Sequence, residues 1–234
     1  MKYNSPLMKI LEMIANMLIV SFFWIVCSIP LVTIIPASVA LYHTSNKIIF
    51  NGRGQGVMKD FFNTFKDNFV LSFKINCIWI AATFFVVVGM YAGIQIYKIN
   101  IFGLLYLILG ILITFVYLIT TIYIPAVISR FYLGVMDTIR LSVFFAMQNI
   151  FISILNVLLL VLLVLIVDVV PLALVIVPAL YVDFVRVGIE KKMQKFITDF
   201  NLEENLKPAI EEVEKFEEES SSDIDNRLSR KKKK

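Results

Sequence analysis

The sequence predicts an all-α membrane protein: a polytopic helical bundle of about five transmembrane helices with amphipathic helices on the cytoplasmic side and a candidate internal repeat. Three observations carry that expectation. Hydrophobic residues make up 59% of the 234 and charged ones 17%, whereas a soluble domain runs near half and a quarter. The apolar residues gather into runs long enough to cross a bilayer. A Pro-Ala step followed by an aromatic and then an amphipathic stretch recurs along the chain.

A helix rises about 1.5 Å per residue, so about 20 apolar residues are needed to cross a hydrocarbon core of about 30 Å. The runs near 13–35, 75–97, 101–124 and 150–167 meet or approach that length. The first two are uncharged, and Lys74, just before the second, can snorkel to the interface. The third carries Gly103 and Gly110, which membrane helices tolerate. The fourth is nearly pure Leu, Val and Ile, each favourable by about 0.3–0.6 kcal/mol in a membrane helix. A fifth span is expected at 169–184, shorter and interrupted by Pro171 and Pro178. In lipid an open segment can satisfy its backbone only as a helix, which overrides the β propensity of so much Val and Ile.

Charge divides the chain at Glu190. Residues 1–189, the expected transmembrane domain, hold 11 Lys and Arg against 6 acids, and 190–234, a charged tail, holds 11 against 12. Cations cluster after the first span (Lys47, Arg53, Lys59, Lys66, Lys74), after the third (Arg130, Arg140) and after the fifth (Arg186, Lys191, Lys192, Lys195). The connections after spans two and four hold only Lys98 and Asp168. Positive charge marks the cytoplasmic side, so a cell-membrane protein with its N-terminus outside and its C-terminus in the cytoplasm is expected, against the weak contrary vote of Lys2 and Lys9. Cations scattered between apolar spans also exclude a nucleic-acid face.

The repeat rests on Ile35-Pro36-Ala37 with Leu41-Tyr42, Ile124-Pro125-Ala126 with Phe131-Tyr132, and Val177-Pro178-Ala179 with Leu180-Tyr181. Gly56-Val57-Met58 opens one amphipathic stretch and Gly134-Val135-Met136 another. Proline frees backbone groups, so Pro36, Pro125 and Pro178 are candidate structural corners. Two readings stand: a duplicated unit, or Pro-Ala steps that end helices at the interface.

Chemical motifs are sparse. Cys27 and Cys77 lie in separate apolar runs, and His43 has no companion at ligand spacing, so neither a metal nor a cofactor is expected. The run 52–56, Gly-Arg-Gly-Gln-Gly, lacks the strand a phosphate-binding loop requires and is expected as a joint. Ser38-Val39-Ala40 resembles a leader cleavage site, yet the apolar run before it is longer than the 7–15 residues of a leader's core, and a span is the better reading. Asn16, Asn76, Thr83, Thr114 and Asn156 are expected to hydrogen-bond between helices. Asp183 and Arg186 have the spacing of a local helix pair. The tail carries an acidic run, Glu211 to Glu219, then a basic end that can meet anionic headgroups or remain solvated.

One stripe points outward. Phe61, Phe62, Phe65 and Phe69, with Val57, share a helical face, and Lys59, Asp60, Lys66 and Asp67 lie largely elsewhere. Such a stripe must be buried, either on a docking partner or in the protein's own bundle and the headgroup layer.

The phrase Ile29-Pro30-Leu31-Val32-Thr33-Ile34-Ile35-Pro36-Ala37, with Ala40-Leu41-Tyr42 and the stretch from Asp60 to Phe69, resembles the YesL-like family of small bacterial membrane proteins. The likeness is strongest over 1–80. It implies a bacterial cell membrane and a link to carbohydrate uptake or use, and no catalytic residues. The function expected is therefore a non-enzymatic accessory or scaffold in the bilayer, working beside a membrane transporter subunit. The alternative is a small transporter or channel acting as a homo-oligomer.

Overall fold

The computed structural model describes residues 6–50, 56–99 and 102–200, and every regular element among them is helical. The charged tail from 201 and the joint at 51–55 lie outside the described residues. Eight α-helices follow in order: α1 (Pro6–Ser28), α2 (Ile34–Thr44), α3 (Val57–Asp67), α4 (Phe69–Ile99), α5 (Phe102–Arg130), α6 (Val135–Gln148), α7 (Ile150–Val169) and α8 (Val177–Phe200). Short 3-10 turns, Leu31–Thr33 and Pro171–Val175, join α1 to α2 and α7 to α8.

Among the described residues four helices are long and apolar enough to cross a membrane: Ile10–Ser28, Phe69–Lys98, Gly103–Arg130 and Ile150–Val169. They fit a membrane location. Their apolar side chains are largely exposed, as in Phe85 and Leu105, which is the arrangement lipid permits and water does not.

The expected fifth span, 169–184, is not one apolar helix. Val170 leaves the helical conformation, Pro171 opens a tight turn, and α8 starts at Val177 and runs into charged sequence. Proline lacks an N–H and cannot continue α7. The chain nevertheless turns back here. Gly188 of α8 lies against Ile152 near the start of α7, where an added Cβ would meet Ile152 Cγ2 at 2.9 Å. A 3-10 turn and the first half of α8 thus carry the chain back along α7. The first span also ends earlier than expected. α1 stops at Ser28, before Pro30, and the Thr33 hydroxyl donates to the carbonyls of Cys27 and Pro30 at 2.6 and 2.7 Å. In a straight helix Trp24 and Ser38 would stand about 21 Å apart; here the Trp24 indole N–H donates to Ser38 Oγ at 3.1 Å, so α2 folds back on α1.

The prolines open or cross helices instead of closing them. Pro36 and Pro178 fall in the first turns of α2 and α8, where no intrahelical donor is required, and Pro125 lies inside α5. The element order keeps part of the repeat. Gly56 and Gly134 precede α3 and α6, each accepting the first helical bond, from Asp60 and Thr138. Asn68 and Asn149 then hinge α3 to α4 and α6 to α7 alike: each side-chain amide donates back to a carbonyl four residues earlier, and each backbone carbonyl accepts from a serine N–H four residues later, Ser72 and Ser153. The first half differs by the break between α1 and α2, absent from α5. Gly56 has φ of +113°, a conformation that favours glycine.

The aromatic stripe of α3 turns inward. Phe61 is 0% exposed, and Phe62 and Phe65 pack against the same core. Phe23 of α1 meets Phe61 and Phe62 at centroid distances of 5.8 and 5.4 Å, and the ladder continues through Phe65, Phe69 and Phe73 into α4. Phe61 is thus part of the core, while Phe62, Phe65 and Phe69 stay half-buried along the ladder that ties α3 to α1 and α4. Truncation of a buried Phe costs about 3–5 kcal/mol. Phe61→Ala should lower the thermal unfolding midpoint of the detergent-solubilised protein markedly, whereas Met58→Ser, on the 61% exposed side of the same helix, should leave it unchanged; equal shifts would mean the stripe is not core.

Candidate functional site

The three Pro-Ala steps place an alanine at a point of close packing. Ala37 in α2, Ala126 in α5 and Ala179 in α8 are each 0% exposed, and a methyl side chain lets helix backbones approach. The N–H of Ala179 donates to Ser21 Oγ of α1 at 3.1 Å, which satisfies a first-turn donor that α8 itself cannot. Asn76 of α4 does the same for α2. Its Oδ1 accepts from Ile35 N–H at 3.2 Å and its Nδ2 donates to the Leu31 carbonyl at 2.9 Å.

From these steps the helices carry polar groups to one junction. Tyr42 follows Ala37 on α2 and Arg130 ends α5. Glu190 lies eleven residues beyond Ala179, about three turns and hence on the same face of α8. The Tyr42 hydroxyl donates to Glu190 Oε1 at 2.9 Å. Arg130 Nε donates to the same oxygen at 3.3 Å while its Nη2 meets Oε2, a forked ion pair with side chains 28% and 16% exposed. Two parallel charge-assisted bonds to a planar carboxylate are strong and directional. Beside them His43 Nδ1 and Ser129 Oγ stand 3.2 Å apart, and Arg186 Nη1 donates to Asn46 Oδ1 at 2.9 Å. Lys47 pairs with Asp60 at 3.3 Å, tying the segment after α2 to the start of α3.

Burial sets the proton states. Burial pushes the Tyr42 hydroxyl up, against the pull of Arg130 and Arg186, so it stays protonated and donates. One Asp183 oxygen is buried with no hydrogen-bond partner.

Residues 17–90 match a family described as "Protein of unknown function, DUF624". No curated protein matches, and neither does any solved structure. The DUF624 match runs from α1 into α4. It therefore includes Pro36, Tyr42 and the α3 stripe, and stops short of Arg130 and Glu190.

Of the polar residues singled out in the sequence, Asn76 and Thr83 bond across helices, Thr83 to the Tyr117 hydroxyl at 2.6 Å. Thr114 bonds instead to the Gly110 carbonyl of its own helix, and the Asn156 side-chain nitrogen is buried without a partner. Asp183 and Arg186 do interact electrostatically. Pro36 and Pro178 are buried and Pro125 is half-buried. Sequence reading passed over Glu190 as the first residue of the tail and counted Arg130 only as an orienting charge. The one available signal was an acid on the apolar face continued from Ala179.

One outcome follows. Glu190→Ala leaves the half-buried Arg130 without its counter-charge, a loss somewhat below the about 3–5 kcal/mol of a fully buried pair, and the Arg130→Met/Glu190→Met double variant should recover much of it; additive losses would show that the pair is not coupled.

Proposed function

We propose that this chain is a non-enzymatic integral membrane protein acting as an accessory or scaffold, of YesL-like kind and linked to carbohydrate uptake or use. The observation that carries the proposal is that Arg130, Glu190 and Tyr42 are spent on one another. The strongest charges within the bundle hold α2, α5 and α8 together, and a group so committed makes a poor acid, base or substrate ligand. The exposed apolar faces of α4 and α5 supply the surface on which lipid and another membrane protein can lie. The carbohydrate link rests on the sequence resemblance.

The orientation proposed is N-terminus outside and C-terminus cytoplasmic. Lys59, Lys66, Lys74 and Arg140 lie on or beside α3 and α6, and the Glu190 to Arg130 contact brings α8 back to the end where α5 terminates. Cysteines placed at Lys66 and Lys192 should react with an impermeant maleimide only after the cell is opened, and one at Lys98 should react from outside. Labelling of position 66 on intact cells would overturn this orientation. For the accessory role, a photo-crosslinker at Phe85 or Leu105 should capture a sugar-transporter membrane subunit in cells grown on complex glycans, and loss of this chain should reduce that uptake. Sugar accumulation by the purified chain alone in proteoliposomes would sink the accessory reading.

A small transporter or channel working as a homo-oligomer is the second reading, and Asp183 favours it. A carboxyl with one oxygen buried and unpartnered, beside an arginine in the returning segment, is placed to bind and release a proton. Proton flux into proteoliposomes that is abolished by Asp183→Asn would decide for it.

A further inference from the structure

The seam between α6 and α8 combines three features that the bundle's own packing does not use. On α8, Phe184, Val187, Lys191 and Lys195 recur at spacings of three, four and four, hence along one face, and all are exposed, as is Lys192 beside them. Along this face apolar side chains give way to ammonium groups within two turns. On α6, Arg140, Phe144 and Met147 form a parallel stripe, and Phe151 at the start of α7 is 85% exposed. The helices touch beside these stripes: Phe144 and Phe196 meet with ring centroids 5.6 Å apart, and Ile152 of α7 lies against Gly188 of α8. The contact of Ile152 with Gly188 sets Phe151 near the level of Val187. Lys191, Lys192 and Lys195 follow within the next two turns of α8, and Arg140 lies one turn before Phe144 on α6.

We propose that this α6–α8 seam binds anionic phospholipid, with Arg140 and the three α8 lysines on the phosphate headgroup and Phe151, Phe184 and Val187 along the acyl chain. Charge complementarity selects the occupant. Glu190 is turned inward onto Arg130, and Asp137 offsets only Arg140, at 3.7 Å. Among the described side chains of this face the lysines therefore dominate. A zwitterionic headgroup brings its own cation to the site and gains little from them, while an anionic one keeps a net charge to be neutralised. Apolar residues one turn below a cationic row match a lipid in cross-section, where chain and headgroup occupy successive depths.

The test uses the full-length protein in a neutral detergent, titrated with dioctanoyl phosphatidylglycerol and, in parallel, with dioctanoyl phosphatidylcholine, the bound lipid being counted by native mass spectrometry. Phosphatidylglycerol should bind with clear preference, and raised salt should weaken it. Lys191→Gln/Lys192→Gln/Lys195→Gln should reduce its affinity on the order of a hundredfold, from the attraction of three basic side chains at a membrane surface. Lys66→Gln on α3 serves as the control for net charge and should change little. The three lysines are exposed, so the variant should unfold at the wild-type midpoint without lipid. Equal binding of the two lipids, or equal losses in the triple variant and the Lys66 control, would overturn the assignment.

Discussion

A carboxylate held between helices has to be paired, because leaving it alone in a poorly solvated site costs several kcal/mol. Glu190 meets that demand with the fork of Arg130 and the hydroxyl of Tyr42. The remaining architecture follows from satisfying this one group. For Glu190 to reach the end of α5, the chain has to come back along α7, and the 3-10 turn at Pro171–Val175 is what lets it do so. For Tyr42 to reach the same carboxylate, α2 has to fold back from α1, and the break at Ile29 and Pro30 allows that. Two proline-bearing turns at opposite ends of the sequence thus serve a single contact.

Close packing makes the junction possible. Ala37, Ala126 and Ala179 bring α2, α5 and α8 together, and side chains from α1 and α4, Ser21 and Asn76, complete the backbone donors that proline-containing first turns expose. These hydrogen bonds are modest singly. Their effect is to fix where each helix begins, and hence where Tyr42 and Glu190 fall. The Phe ladder from Phe23 through Phe73 works at the level below by fixing α3 between α1 and α4. Arg186 and Asp183 remain as a polar pair on α8 beside this packing.

The outer surface follows a different rule. α4, α5 and α7 present Leu, Ile, Val and Phe outward along most of their length, since hydrocarbon asks nothing of a side chain except the absence of charge. Cations occur where the apolar faces of α4, α6 and α8 give out, at Lys74, Arg140 and Lys191. Inside, the chain spends polar groups to define one arrangement, and outside it spends apolar ones to define a depth.

The sequence by itself determined the helical class, the four long apolar helices, the amphipathic character of α3 and α6 and the glycine that opens each. These are local or compositional properties: a run of twenty apolar residues or a helical stripe of Phe is complete within its own segment. It did not determine how the stripe of Phe61, Phe62, Phe65 and Phe69 would pack, and the structure buries Phe61 against Phe23, some forty residues earlier, while the other three stay half-buried. Nor could it separate an apolar stretch that crosses by itself from one that returns along a neighbour, as 169–184 does through a turn and half of α8. The junction lay furthest from view. Tyr42 and Arg130 lie 148 and 60 residues from Glu190 along the chain, and each looks ordinary in its own segment. Only the tertiary fold makes them one group, because the energy of a buried ion pair depends on the distance between partners and carries no trace in the spacing of either.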